Sequence, residues 1–483
     1  LVTRGAQPIG DEAKPQAIAQ SPLWGLGRVF AQEHPELYGG LIDLDDTVDG
    51  VGDLIAVVSH PESEEQIAIR AGTRYVPRLE RYISPTQHIF QLRPDASYLI
   101  TGGLGGLGLE VARWLVERGA RSLVLVGRTP LPPRATWEEH SDGAHADKIA
   151  AICGLERLGA TIHYAAFDIT NEEQLTTFLT QYQQECRPPL RGIVHAAGVL
   201  RDQLLLQMDT SALHTVLHPK LRGTWLLHRH LQDSQLDFFV MFSSAAAVLG
   251  SIGQGNYAAG NAFMDALAHN RRAHGLSAVS LNWGPWAEVG MATDLAQQHE
   301  ARGVRAFTIE QGLEALRHSI EANYTQVVAL QADWQRVRQG MRGTPLLAQL
   351  ARDPAAASTE NESSYLAELL SITDPSERQA ALEERITTIL TDVMRLDRSQ
   401  INADQPLTTL GIDSIVAVEM KYRIETHIGI TLSMTDLLSG ASITQLATRA
   451  GTMLQDETQI VELLDELEQM APEDLQVLMN GVS

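Results

Sequence analysis

The chain is 483 residues long, enough for about three domains that each bury a core, and it carries a formal charge of −23. That excess of acid argues against nucleic acid or an anionic membrane as a partner, and no apolar run approaches the ~20 residues that span a bilayer. The two cysteines, Cys153 and Cys186, have no metal-ligand spacing and suggest a reducing compartment, so a cytoplasmic protein is expected.

The chain opens on Leu1-Val2-Thr3-Arg4, with neither a signal peptide nor an initiating methionine, and the expectation is a piece cut from a longer polypeptide. Residues 1–93 alternate strand patterns (Leu41 to Leu44, Gln66 to Arg70) with a helix near Pro22 to Glu33, but hold no glycine fingerprint. The opening strand and glycine turn of a nucleotide-binding unit are expected to be missing there. From residue 94 the pattern changes. Ser97-Tyr98-Leu99-Ile100-Thr101 reads as a short buried strand running into Gly102-Gly103-Leu104-Gly105-Gly106-Leu107-Gly108. Leu109 to Gly119 has helical periodicity, with Val111, Trp114 and Leu115 on one stripe, and a second apolar strand runs from Ser122 to Val126. Strand, glycine turn, helix and strand form the dinucleotide-binding unit, in which Gly103, Gly105 and Gly108 let backbone and pyrophosphate meet at a helix N-terminus. An acid after the second strand would favour a free ribose hydroxyl, whereas Arg128 suits a 2′-phosphate, so NADPH is expected over NADH.

Further along lie residue types that together can deliver a proton to a carbonyl: Lys220, Ser244 in Phe242-Ser243-Ser244, Tyr257 and Asn261. A helix beginning near Tyr257 would project Tyr257 and Asn261 from one face, one turn apart. A phenol titrates near ~10 in water, so it needs a nearby cation to give up its proton at neutral pH, and Lys220 could be that cation. A serine hydroxyl such as Ser244 could hold the carbonyl oxygen as negative charge develops on it. The polar stretch from Ala287 to Phe307 is a candidate lid over nicotinamide and substrate.

Residues 346–377 read as a linker, weakly hydrophobic around Ser358 to Ser364. A helical pattern from Arg378 to Met394 follows, and then Leu407-Thr408-Thr409-Leu410-Gly411-Ile412-Asp413-Ser414 precedes an amphipathic helix carrying Ile415, Val418 and Tyr422. Serine at that place often serves only as an N-cap. A phosphodiester there would also sit at the positive end of the helix dipole. The last stretch, Gln455 to Ser483, has eight acids and no Lys or Arg, with Ile460, Leu463, Leu464, Leu467 and Met470 on one stripe. It cannot bury that stripe alone, so it is expected to pair with another copy or with the next protein, its acids meeting a basic partner. Folding back onto the preceding bundle is the alternative.

The glycine loop, the turn His195-Ala196-Ala197-Gly198, the Ser244/Tyr257 pair and Asn282-Trp283-Gly284-Pro285-Trp286 together resemble the ketoreductase domain of modular type I polyketide synthases, a branch of the short-chain dehydrogenases. Most short-chain dehydrogenases place lysine four residues after the tyrosine. Here Asn261 stands there and the lysine is Lys220, an exchange that marks the polyketide synthase branch. The resemblance implies Tyr257 as general acid, Ser244 orienting the ketone, Lys220 lowering the tyrosine pKa and Asn261 completing a tetrad. It implies cofactor contacts at Thr101, Gly103, Gly105, Leu107, Gly108, Arg128, Ala196, Ala197 and Gly198, with Asp168 near the adenine. Ser243 is passed over because the family's serine matches the second of the pair.

The implied architecture is α/β: a Rossmann-like doubly wound parallel sheet across a truncated structural subdomain (1–93) and a catalytic subdomain (94–345), followed by a small all-α helical bundle. The Gly-Ile-Asp-Ser text resembles an acyl carrier protein (378–453), which implies 4′-phosphopantetheine on Ser414. Residues 454–483 look like a docking segment. The implied partners are a β-ketoacyl chain on the carrier, upstream domains of the same polypeptide, a downstream synthase protein reached through the C-terminal helices, and a second copy in a homodimeric synthase. Leu200-Arg201-Asp202 stands where one stereochemical type resembles Leu-Asp-Asp, and Leu249 stands where the opposite type carries tryptophan. Leu200, Asp202 and Leu249 thus suggest the B-type, giving a D-configured hydroxyl. The other readings are the opposite stereochemical type, a redox-inactive scaffold for carrier and docking parts, and a stand-alone dehydrogenase of a diffusible small molecule.

Overall fold

The computed structural model describes residues 1–10, 17–45, 50–59, 64–82, 90–140, 143, 145–290, 300, 303–334, 336–337, 344–350, 369, 371–372, 374–394, 397–410, 412, 414–430 and 432–454. The chain divides into two units, Leu1–Ala356 and Ala357–Ser483. The stripe at 455–483, most of the linker and much of the candidate lid lie outside the described residues, as do Gly411 and Asp413.

The first unit opens with strands β1 (Val2–Arg4), β2 (Leu41–Leu44), β3 (Gln66–Arg70) and β4 (Thr73–Tyr75), which form a four-stranded sheet in that order. Val2–Arg4 forms a strand that no pattern marked: β1 pairs in parallel with β2, Val2 opposite Ile42, and Gly5 turns behind it at φ 60°. Three residues are too few to show periodicity, so this strand has no signature of its own. The turn after β1 is closed by the protein itself. The buried Asp43 carboxylate accepts from the amides of Ala6 (2.9 Å) and Gln7 (3.0 Å) and from the Thr3 hydroxyl (2.6 Å), and pairs with Arg70. An internal carboxylate thus takes the amides that a phosphate would use in a nucleotide-binding half.

The second half is built on strands β5 (Ser97–Thr101), β6 (Ser122–Gly127), β7 (Thr161–Ala166), β8 (Leu190–His195), β9 (Phe238–Ser244), β10 (Val279–Trp283) and β11 (Gln326–Ala329). They form a seven-stranded, wholly parallel sheet in the order β11-β10-β9-β8-β5-β6-β7. The central strands are buried on both faces and read as unbroken apolar runs such as Tyr98-Leu99-Ile100 and Leu123-Val124-Leu125-Val126. One core face packs Tyr98, Ile100, Val111 and Leu115; the other packs Leu99, Val124, Phe239 and Met264. Strand order reverses on either side of β5, so the crevice at the carboxyl ends of β5 and β8 is the place where such a sheet binds ligands.

One contact joins the halves and sets the position of the site. Three helices matter to it: α1 (Pro22–Glu33) in the first half, and α2 (Gly106–Glu117) and α3 (Gly255–Ala273) in the second. Helix α1 lies along α3, which is buried on nearly every side. A Cβ at Gly25 would fall inside van der Waals contact of the Ala258 carbonyl oxygen, so only glycine lets the two backbones come this close. The Arg28 guanidinium hydrogen-bonds the Ala247 carbonyl, and Gln32 Nε2 donates to Leu249 O at 2.7 Å.

In the second unit, helix Pro375–Met394 buries Leu382, Ile386, Ile389 and Leu390. Helix Ser414–His427 buries Ala417, Met420 and Ile424, and the Met434–Leu438 turn buries Met434 and Leu437. The buried Lys421 ammonium donates to Leu432 O and Glu425 Oε1, both at 2.6 Å, and ties Leu432 to its helix. Ser414 is the first residue of its helix.

Gly25→Ala is expected to destabilise the folded protein by about 1–3 kcal/mol, the usual result of overpacking a close helix contact. Denaturant unfolding of the two proteins side by side measures the difference.

Candidate functional site

The glycine turn leaves β5 at Thr101 and enters α2. Gly102 has φ 68°, a conformation that favours glycine, and a Cβ at Gly108 would strike the Gly102 carbonyl. Gly105 is the N-cap of α2 and offers no side chain, so the first amides of the helix remain available to a bound anion. Gly103 and Leu107 lie in the same turn, and Leu107 packs against the apolar core. Arg128 follows directly on β6 and is exposed. Asp168 lies two residues past β7; its Oδ1 accepts from the Thr170 amide at 2.9 Å and hydroxyl at 2.8 Å, fixing the turn into the next helix.

Behind the turn lies a link that no local pattern announces. The Thr101 hydroxyl and His195 Nδ1 are 2.7 Å apart, and His195 Nε2 is 3.0 Å from the Pro219 carbonyl. His195 is fully buried, and burial pushes its pKa down to about 3, so it is neutral. A carbonyl can only accept, so Nε2 carries the proton and Nδ1 accepts from Thr101. Thr101 Oγ1 in turn accepts from the Ala197 amide at 3.3 Å, and the Ala196 amide donates to Thr101 O at 3.2 Å. These bonds shape the Ala196-Ala197-Gly198 turn.

Pro219 directly precedes Lys220, and both sit in a π-helical turn, His218–Gly223, between two α-helices. Such turns are rare and cluster at functional sites. The turn points the Lys220 side chain inward, where Nζ donates to Phe242 O at 2.7 Å and lies 5.2 Å from the centroid of the Tyr257 ring. Burial pushes its pKa down to about 7, opposed by the charge of Asp265. Tyr257 stands in the first turn of α3, within reach of Ser244 at the end of β9. Its pKa is raised, chiefly by burial, while hydrogen bonds from Ser244 and Asn261 pull the other way. The expected lowering of the tyrosine pKa by Lys220 is thus not the net effect here. Desolvation outweighs the favourable contacts, and the phenol is held protonated. Asn261 donates to the Tyr257 carbonyl at 2.8 Å, and its Oδ1 is buried without a partner among the described residues.

Of the serine pair, Ser243 is buried and bonded to Asn261 O (3.3 Å) and to the Asn282 amide (3.0 Å). Ser244 Oγ accepts from the Ala246 amide at 3.2 Å and is partly exposed. The second serine therefore faces the crevice. Asp265, two turns beyond Tyr257 on the same helix face as Asn261, is a site residue that the sequence reading misses, although the 257/261/265 spacing carries the signal. Its buried carboxyl accepts from Ser280 Oγ (2.5 Å) and Asn282 Nδ2 (2.8 Å), and it anchors β10 beneath the site.

At the rim, Asp202 Oδ2 accepts from Gln254 Nε2 at 2.8 Å. The neighbouring Arg201 turns outward to Ser211 and Asp209, so the replaced acid leaves the Asp202 contact intact. Leu200 is partly buried beside them, and Leu249 packs against the cluster of Val337, Leu347 and Leu350.

A parallel sheet with this glycine turn and these side chains defines a short-chain oxidoreductase half, joined through the chain to a helical carrier. The family comparisons agree. Residues 96–288 match the KR domain, residues 1–79 the Rossmann fold domain of polyketide synthase extender module SpnB, and residues 384–450 the phosphopantetheine attachment site. One of the phenolphthiocerol/phthiocerol polyketide synthase proteins of Mycobacterium tuberculosis is 36% identical over 92% of this chain and 23% of its own length. The 6-methylsalicylic acid synthase of Aspergillus terreus is 34% identical over 89% of this chain and 24% of its own. The chain spans about a quarter of the length of these curated relatives. A solved A-type ketoreductase from a modular polyketide synthase is 35% identical with TM-score 0.64, over 74% of each chain. The chain belongs to the modular polyketide synthases, of which it holds a ketoreductase domain and a carrier domain.

His195 makes the structure acid-sensitive in a defined window. Its folded pKa lies below the unfolded value near 6.5, so the unfolded state binds the extra proton first and stability falls as pH drops from about 6.5 towards 3. This one group contributes a slope of up to about 1.4 kcal/mol per pH unit. His195→Gln is expected to flatten that acid limb, measured by urea unfolding across the range.

Proposed function

We propose that this chain reduces the β-keto group of an acyl thioester held on a carrier domain, giving a β-hydroxyacyl thioester. The observation that carries the reading is the convergence of Lys220, Ser244 and Tyr257 beside a glycine turn whose helix amides remain open. When bound, a reduced nicotinamide supplies the hydride. The amides opening α2 and the close approach at Gly108 fit its pyrophosphate, and Arg128 fits a 2′-phosphate, which favours NADPH. Thr101, Gly103, Gly105, Leu107, Asp168, Ala196, Ala197 and Gly198 are the other positions assigned to that cofactor.

Ser244 donates a hydrogen bond to the ketone oxygen and holds it next to the phenol. Tyr257, kept protonated, gives its proton to that oxygen as charge builds there. The phenolate left behind is stabilised by the Lys220 ammonium above its ring, and Asn261 holds the helix turn on which the tyrosine stands. The Asp202–Gln254 contact at the rim and the absence of tryptophan at Leu249 favour the B-type outcome, a D-configured hydroxyl. Ser414, opening its helix, is the site for 4′-phosphopantetheine. The acidic C-terminal stripe suits docking to a basic surface of the synthase protein that follows, and a homodimeric synthase with upstream domains is the natural setting.

Tyr257→Phe should lower reduction by about a hundredfold or more while NADPH still binds, which steady-state turnover and fluorescence titration would show. Undiminished turnover would refute the proton-donor role. Arg128→Ala should reduce the preference for NADPH over NADH by about tenfold, read as the ratio of kcat/KM values. Ser414→Ala should abolish the mass gain produced by a phosphopantetheinyl transferase, and a variant still modified would place the arm elsewhere.

A further inference from the structure

The rim of the crevice is built from two segments, 200–205 and 250–254, that come from distant parts of the second half. They are joined to each other by Gln203 N→Gly253 O at 2.8 Å, by a bridge between Gln203 and Gln254, and by the Asp202–Gln254 contact. Loop 250–254 also caps α3 through Gln254, three residues ahead of Tyr257. Both loops are held from outside by one side chain of the first half. Glu33, at the end of α1, is fully buried, with Oε2 accepting from the Leu205 amide at 2.7 Å and Oε1 from the Gly253 amide at 2.8 Å. Burial raises its pKa, and those two amides oppose the rise. A carboxylate buried at that cost is retained only where both oxygens are occupied. Each oxygen here takes one loop.

The geometry points to Glu33 as a positioning residue that clasps the two rim loops and so sets which face of the ketone meets the hydride. Asp202 and Gln254 belong one to each clasped segment, and Tyr257 stands in the first turn of the helix that one of them caps. Small displacements of the loops would move the substrate relative to the proton donor, while the glycine turn around Thr101 and Gly108 lies outside the clasp. The effect should therefore fall on the thioester and its product, with cofactor binding spared. This rests on the reductase reading above.

Two variants of the full chain test it. Glu33→Gln keeps the shape but turns an amide N–H towards one of the two donors. Leu205→Pro leaves Glu33 intact and deletes one donor; Leu204 has ψ 147° and Leu205 opens a 3-10 turn, so proline fits the backbone. The probe is a β-ketobutyryl N-acetylcysteamine thioester, with the two product alcohols separated by chiral chromatography. Both variants should shift the alcohol ratio towards the minor product by about fivefold and lower kcat/KM for the thioester by about tenfold, with the Kd for NADPH changed by less than about twofold. Hydrogen exchange at the amides of Leu205 and Gly253 should accelerate in Glu33→Gln. Wild-type protein that binds NADPH yet leaves the thioester unreduced refutes the reductase reading and the stereochemical role with it. Wild-type turnover with an unchanged ratio in both variants refutes the positioning role alone. Unchanged amide exchange in Glu33→Gln refutes the clasp, whichever way turnover goes.

Discussion

The close approach of α1 to α3 is the constraint on which the site depends. Helix α3 carries Tyr257, Asn261 and Asp265 on one face, and that face must lie against the ends of β9 and β10 to bring the phenol near Ser244 and Lys220. A helix buried on its other sides as well needs a second partner, and the first half supplies it at Gly25. Backbone contact this tight leaves little freedom to slide or rotate. The polar side chains of α1 then fix the segment from Ala247 to Gly253 that leads into the tyrosine's helix, and with it Leu205. The first half, whose own nucleotide turn is closed by Asp43, has become a mould for the second.

Burial has opposite consequences for neighbouring groups. His195 is stripped of solvent and left neutral, so it serves as a fixed pair of hydrogen-bonding atoms between Thr101 and Pro219. Tyr257 is kept protonated by the same means, which suits the proton-donor role proposed for it. Lys220 is the opposite case, because its surroundings disfavour the charged form that the proposed reduction would use. The Phe242 carbonyl accepts one of its protons, and the charge of Asp265 opposes a pKa that burial takes down to about 7. The π-turn that carries it, His218–Gly223, is an irregularity in the backbone between two α-helices.

Much of this is legible in the sequence. The strands Leu41–Leu44, Gln66–Arg70 and Ser97–Thr101 and the helix Pro22–Glu33 stand where their patterns put them, since each is long enough or apolar enough to leave a local signature. The glycine turn and the order of lysine, serine and tyrosine point to one crevice. What does not show is whatever depends on distance across the fold. Nothing local to Glu33 says that it meets amides 172 and 220 residues away. The π-turn at Lys220 has no pattern of its own, and Asp265 looks like any helical acid until β10 is laid beneath it. Strand β1 is silent for a simpler reason, because three residues carry no period.

The clasp at Glu33 bears on how such assembly lines are recombined. Helix α1 is shaped for the particular loops of this second half, through Gly25, Arg28, Gln32 and Glu33. A chimaera that exchanges only the nucleotide-binding half would set foreign loops against an unmatched brace, and on the proposed role of Glu33 its faults would surface as blurred chirality before any loss of folding. The natural unit of exchange therefore begins ahead of residue 22, with both halves travelling as one inheritance.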